Sequence, residues 1–92
     1  MQYRRQTSFD RTFRKLTPPD RREVEEVIIR LVHALETGQR GEGLGLKKLE
    51  RSFWEIRAGL GIRILFTLEK GTVSFVIVGS HDALRRYLKH IL

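Results

Sequence analysis

Glu55, Arg57, Arg63, His81 and Tyr87 are the residues whose types and spacing could do chemistry in this chain. Two glycines relate the first three to one another. A three-residue turn, Gly59-Leu60-Gly61, with glycine free to take positive φ, pairs residue 58 with 62 and residue 57 with 63. Side chains alternate faces along a strand. One face then holds Trp54, Ile56, Ala58, Ile62, Ile64, Phe66 and Leu68, a continuous apolar surface that reads as core, Trp54 included. The other holds Glu55, Arg57 and Arg63, with Arg57 directly across from Arg63. Like charges opposed in a sheet are destabilising, so this pair makes sense where an anion settles against it. A slip of one residue would send every one of these side chains to the other face.

His81 lies in the turn Gly79-Ser80-His81-Asp82, at the end of a strand and the start of a helix. An imidazole with an unperturbed pKa near about 6.5 suits proton transfer at neutral pH. Asp82 has two readings: it caps the helix, the favoured one, or it steadies the imidazolium. Tyr87 falls in the apolar stripe with Leu84, Leu88 and Ile91, so a packed ring and a reacting phenol stand level on pattern alone. Arg85, Arg86, Lys89 and His90 fall on outward faces as a basic rim, and Lys47, Lys48 and Arg51 precede the Phe53 strand. Together, Lys47, Lys48, Arg51, Arg85, Arg86 and Lys89 form the candidate contact set for a polyanion such as RNA. His33 and His90 have neither HxxxH nor HExxH spacing and the chain has no cysteine, so no metal site and no cofactor is expected.

The elements that must position these residues follow from periodicity and punctuation. Residues 2–7 alternate loosely as a short strand, and Phe9, Phe13 and Leu16 mark a short helix before Pro18-Pro19. Thr17 caps a second helix, in which Val24, Val27, Ile28, Leu31 and Leu35 form the apolar stripe and Gly38 the left-handed stop. The acids of its first turns, Asp20, Glu23, Glu25 and Glu26, answer the helix dipole rather than chemistry. Residues 38–45 are glycine-rich but lack the phosphate-binding pattern GxxxxGK[ST], and read as a connector. Strands are expected over Phe53–Ala58, Ile62–Leu68 and Thr72–Val78, then a helix from about Asp82. The order β-α-α-β-β-β-α gives an α+β fold: a mainly antiparallel four-stranded sheet with two N-terminal helices packed on one face and a C-terminal helix.

Ninety-two residues make a single domain, 1–92, with one modest core. Residues 1–6 have no apolar signal core, and the longest apolar run, Phe75–Val78, is far short of the about 20 residues of a membrane helix. A soluble, cytoplasmic protein without a membrane partner is expected, and the lack of cysteine fits a reducing compartment. Net charge is +7, with eighteen Lys and Arg against eleven Asp and Glu. Arginine dominates the cations, and its fork matches phosphate oxygens two at a time where lysine would serve for solubility alone.

The succession Leu46-Lys47-Lys48-Leu49, Phe53-Trp54-Glu55-Ile56-Arg57, Ile62-Arg63-Ile64-Leu65-Phe66 and Val78-Gly79-Ser80-His81-Asp82 resembles the RelE/ParE toxins of type II toxin–antitoxin systems. The likeness spans nearly the whole chain, and the Gly-Ser-His-Asp turn is most similar to the YafQ-type branch. The resemblance implies a metal-independent, ribosome-dependent endoribonuclease that cuts mRNA in the decoding site, so that ribosome, rRNA and a cognate antitoxin are the expected partners. It also implies roles: Arg57 and Arg63 hold the phosphate, His81 acts as acid or charge stabiliser, and Tyr87 is the general base. Glu55 stands where the RelE branch has lysine, and an acidic residue there could itself be the base. Two other readings remain beside this one. A ParE-like gyrase inhibitor would lack the set Arg57, Arg63, His81 and Tyr87, and a basic RNA-binding module would bind without cutting.

Overall fold

The structure is a computed structural model and describes residues 1–39 and 43–92. The elements run β1 (Gln2–Arg5), α1 (Thr7–Arg14), α2 (Pro18–Thr37), β2 (Leu46–Lys48), β3 (Phe53–Arg57), β4 (Arg63–Glu69), β5 (Thr72–Gly79) and α3 (His81–Ile91). The expected connector over 38–45 falls partly on residues 40–42, outside the described residues. Helix α2 starts and stops where its sequence says. Thr17 accepts a hydrogen bond from the Asp20 backbone N–H at 3.3 Å, and Gly38 ends the helix at φ 70°.

The α+β class is as expected, but the sheet has five strands rather than four, in the order β1-β5-β4-β3-β2. The additional strand is β2, three exposed residues paired antiparallel to β3. Strand β1 is parallel to β5, and the other pairings are antiparallel. The hairpin register is the expected one: Arg57 faces Arg63, the Ala58 N–H donates to the Ile62 carbonyl at 2.8 Å, and Gly59 and Gly61 take φ of 76° and 78°.

The helices do not share a face. Phe66 belongs to a core with Phe9, Val24, Val27, Leu31, Ile56 and Ile64 under α1 and α2. Its neighbour Leu65 belongs to a second core with Val76, Ile77 and Leu84, under α3. Adjacent strand residues point to opposite faces, so α3 covers the side of the sheet that α1 and α2 leave open. A register shift at Leu65/Phe66 sets Leu65 opposite Ile77 but Phe66 opposite Phe75, and so leaves Val76 as an inserted residue. Val76 and Ile77 consequently both join the second core, and the change of parity brings Gly79 opposite Arg63 on the α3 side.

Where β1 stops, α1 takes over the edge of β5. The Ser8 hydroxyl donates to the Val76 carbonyl at 2.6 Å, and the Val78 N–H donates to the Thr12 hydroxyl at 3.1 Å. Thr12→Val keeps the shape and removes the acceptor, leaving a part-buried N–H unpaired. An expected loss of about 1–2 kcal/mol would be read as a lower midpoint in urea.

Tyr3 ties β1 to the end of α2 by donating to Glu36 Oε1 at 2.6 Å. Burial, then the hydrogen bond to Glu36 and its negative charge, pushes the phenol from its ordinary 10.0 up to about 12. A raised folded-state pKa means that this contribution is fully present below about pH 10 and is lost as pH climbs through about 12. Tyr3→Phe is expected to flatten that part of an alkaline unfolding curve. An unchanged slope would show that the phenol does not couple to folding.

Candidate functional site

The end of the sheet where β3 stops and β4 begins brings four residues into one row on the α3 side. Arg57 and Arg63 are directly paired, Gly79 stands opposite Arg63 on β5, and Gly45 lies against Arg57 just before β2. Two glycines flank two arginines, and each clears space. A Cβ on Gly45 would come within 2.9 Å of Arg57 Cβ and 3.0 Å of its Nε. One on Gly79 would come within 3.1 Å of the Ala83 Cβ, so glycine here lets the first turn of α3 approach the strand end. Gly45→Ala adds positive-φ strain at φ 69° to that collision. It is expected to cost about 1–2 kcal/mol. It should also move the Arg57 Nε–H resonance while leaving that of Arg63 in place; a spectrum unchanged at Arg57 would contradict the contact.

Glu55 is the one buried polar or charged residue among the described residues, 8% exposed. It lies on the same side of the sheet, across from Lys47 on β2 and diagonal to Arg63. Its Oε2 is 3.2 Å from Arg63 Nε, the two side chains being 11% and 24% exposed. The contact is an ion pair and not a hydrogen bond: Arg63 Nε and Nη1 are both buried with no hydrogen-bond acceptor among the described residues. Arg63 is therefore held by charge while two of its buried nitrogens keep unsatisfied donors. Arg57, by contrast, is exposed.

His81 is the first residue of α3 and is exposed. The favoured cap reading for Asp82 is corrected: Ser80, two residues earlier, caps the helix by accepting from the Ala83 N–H at 3.1 Å, and Asp82 lies within the first turn. Tyr87 is half-buried against Leu65, Val76, Ile77 and Leu84. It follows His81 by six residues, about 9 Å along the helix axis and on a different flank. The row of arginines and the start of α3 thus lie together, while the phenol is part of the second core.

Five of the six expected RNA-binding residues come together elsewhere. Lys47, Lys48, Arg85, Arg86 and Lys89, with Glu50 and Asp82, line an open groove of about 730 Å³ between β2 and α3, with Leu49, Leu88 and Leu92 as its apolar part. Lys48 is partly engaged, its Nζ 5.7 Å from the Trp54 ring centroid and donating to the Arg51 carbonyl at 2.9 Å. Arg51 is in the adjoining turn at φ 57°. None of Glu55, Arg57, Arg63, His81 and Tyr87 lines this groove. Among the described residues no group of His, Asp and Glu is placed to hold a metal ion, and no helix is long and apolar enough to cross a membrane.

No family model matches the chain, and no curated protein matches it in sequence. Solved structures do match. The RelB–RelE antitoxin–toxin complex from Methanococcus jannaschii superposes with a TM-score of 0.69 at 16% identity, over 95% of this chain and 98% of that one. YafQ from Escherichia coli gives 0.65 at 11% identity, over 89% and 94%. The toxin–antitoxin complex RelBE2 from Mycobacterium tuberculosis gives 0.53 at 20% identity, over 87% and 90%.

The chain has the RelE-like toxin fold. On this RelE-like frame the two glycines that flank the arginine row are positions the sequence does not single out, because Gly45 reads as part of a connector and Gly79 as part of a turn. The signal that could have found them is adjacency: each glycine neighbours an arginine only once the pairings of β2 and β5 are known.

Proposed function

We propose that this protein is the toxin of a toxin–antitoxin pair and a metal-independent, ribosome-dependent mRNA endoribonuclease of the cytoplasm. One observation carries the reading: Arg57 and Arg63 are opposed in register, and Arg63 retains a buried Nη1 that has no acceptor among the described residues. Opposed guanidinium groups are an unfavourable arrangement that a phosphodiester relieves. In the reaction the ribose 2′-oxygen forms a bond to phosphorus as the bond to the 5′-oxygen breaks. A cyclic phosphate and a free 5′-hydroxyl result. Arg57 and Arg63 stabilise the charge that builds on the phosphorane, and such fixed cations are worth most in a partly enclosed site. His81, exposed at the start of α3, delivers the proton to the leaving oxygen. The base that takes the 2′-hydroxyl proton is Tyr87 or Glu55. The groove between β2 and α3, with Arg51 beside it, supplies the backbone contacts to the message and rRNA. Two of the fold neighbours are complexes with antitoxins, which supports a cognate antitoxin here.

A second reading has an observation of its own. Tyr87 packs into the second core and Glu55 pairs with Arg63, an arrangement that also suits a basic module that binds RNA without cutting it. Induced expression with primer extension on translated messages separates the readings, using His81→Ala and Tyr87→Phe beside the wild type. Codon-phased cuts that vanish in His81→Ala are the expected result. Intact messages with trapped gyrase–DNA complexes would replace the nuclease with a ParE-like inhibitor, and RNA binding without cuts would leave the binding module.

A further inference from the structure

A chain with net charge +7 buries one carboxylate among its described residues, and places it beside a guanidinium of the proposed phosphate site. Glu55 faces Lys47 across the β2–β3 pairing, lies two residues along β3 from Arg57 on the same side of the sheet, and touches Arg63. A guanidinium has five N–H donors, and a carboxylate at one side cannot satisfy all of them. Arg63 shows this directly: Nε lies 3.2 Å from Glu55 as an ion pair, yet Nε and Nη1 are both buried without a hydrogen-bond acceptor among the described residues. Leaving charged donors buried and unsatisfied is costly, so a small shift of the guanidinium toward an arriving oxygen recovers free energy that Glu55 leaves unclaimed.

We propose that Glu55 sets the anion affinity of the arginine pair. Its carboxylate holds Arg63 from the Nε side and so orients the guanidinium, on a side chain still 24% exposed, toward an incoming phosphate, while its charge keeps that phosphate from binding too tightly to leave. Glu55 is then a positioning residue, and the proposal rests on the phosphate-binding role given to Arg57 and Arg63 above. Its two halves have opposite signs, and two variants separate them. Glu55→Gln keeps an oxygen beside Nε and removes the negative charge. Glu55→Ala removes both.

The test is an NMR titration of the full chain with inorganic phosphate, read at the Nε–H resonances of Arg57 and Arg63. Glu55→Gln is expected to tighten phosphate binding by about ten-fold, the effect of deleting one unit charge a few ångströms from the anion in a partly solvated site. Glu55→Ala is expected to gain clearly less, because Arg63 is no longer held. Phosphate binding in Glu55→Gln that is unchanged or weaker, in a protein giving the wild-type amide spectrum, overturns the proposal. Equal gains in the two variants overturn the positioning half. Should Glu55→Ala not fold, Glu55→Asp takes its place, keeping the charge but withdrawing the oxygen; it is expected to bind phosphate more weakly than wild type, and equal binding counts against positioning. Message cleavage is scored separately. Cut messages in the wild type, with unaltered phosphate binding in Glu55→Gln, refute the role of Glu55 alone. Tighter phosphate binding in Glu55→Gln, beside a wild type that cuts no message, leaves that role standing and refutes the nuclease.

Discussion

Replacing Phe66 with alanine is expected to take the protein to the edge of unfolding. Phe66 is 1% exposed at the centre of the larger core and is one link in a chain of aromatic rings. Its centroid is 6.1 Å from that of Phe75, Phe75 is 5.7 Å from Phe9, and Phe9 is 5.8 Å from Phe13. That chain couples β4 through β5 to α1, so the cavity left by alanine opens between sheet and helix rather than within one element. Deleting a buried phenylalanine side chain costs about 3–5 kcal/mol in lost transfer energy and cavity. Domains of ordinary size are stable by roughly 5–15 kcal/mol, and small ones sit low in that range. Urea unfolding checks the expectation: the midpoint of Phe66→Ala should fall to a small fraction of the wild-type value, and Phe66→Leu should recover most of it. A midpoint within a few tenths molar of wild type would mean that the aromatic chain does not carry the fold.

The part of this fold that was legible in the sequence is the part with local punctuation. The β3–β4 hairpin is set by Gly59 and Gly61 together with strict alternation on either side, and α2 by Thr17, Pro18 and Gly38. Strand β2 was not legible, because Leu46-Lys47-Lys48 is exposed throughout and exists as a strand only by pairing with β3. The placement of α3 had a signal of a kind that periodicity overlooks. Four apolar residues in succession, Phe75–Val78, mean a strand covered on both faces, which a sheet with helices on one side cannot supply. The bulge at Val76 hides within the same run, since alternation has nothing to alternate against. In the site, the Arg57–Arg63 opposition followed from turn length alone. The ion pair of Glu55 did not, because a diagonal neighbour can reach Arg63 but register does not oblige it to. Tyr87 sat level between core and chemistry on helical phase, and its burial required knowing that α3 has a core of its own.

The two arginines are expected to separate in stability and agree in activity. Arg57 is exposed, and its strand neighbour is a like charge, so Arg57→Ala relieves a repulsion and should leave stability unchanged or raise it by a few tenths up to about 1 kcal/mol. Arg63→Ala strands the Glu55 carboxylate, 11% exposed, without its cation. Since the pair keeps some contact with solvent, a loss of about 1–3 kcal/mol is expected rather than the larger cost of breaking a fully buried pair. For message cleavage the signs converge. In the proposed reaction each variant removes a cation from the charge that develops on the phosphorane, and each is expected to lower the rate by about 10²–10³-fold. Lysine at either position should restore little, because a single ammonium cannot span two phosphate oxygens as the guanidinium fork does. Thermal unfolding and single-turnover cleavage on stalled ribosomes measure the two axes independently. Cleavage that survives in both variants would remove the arginine pair from the chemistry whatever the unfolding data show. Cleavage lost in Arg63→Ala but kept in Arg57→Ala would trace the loss to misfolding around Glu55. Only the combination of a stable, inactive Arg57→Ala and a weakened, inactive Arg63→Ala fits a pair held in opposition for a phosphate to bridge.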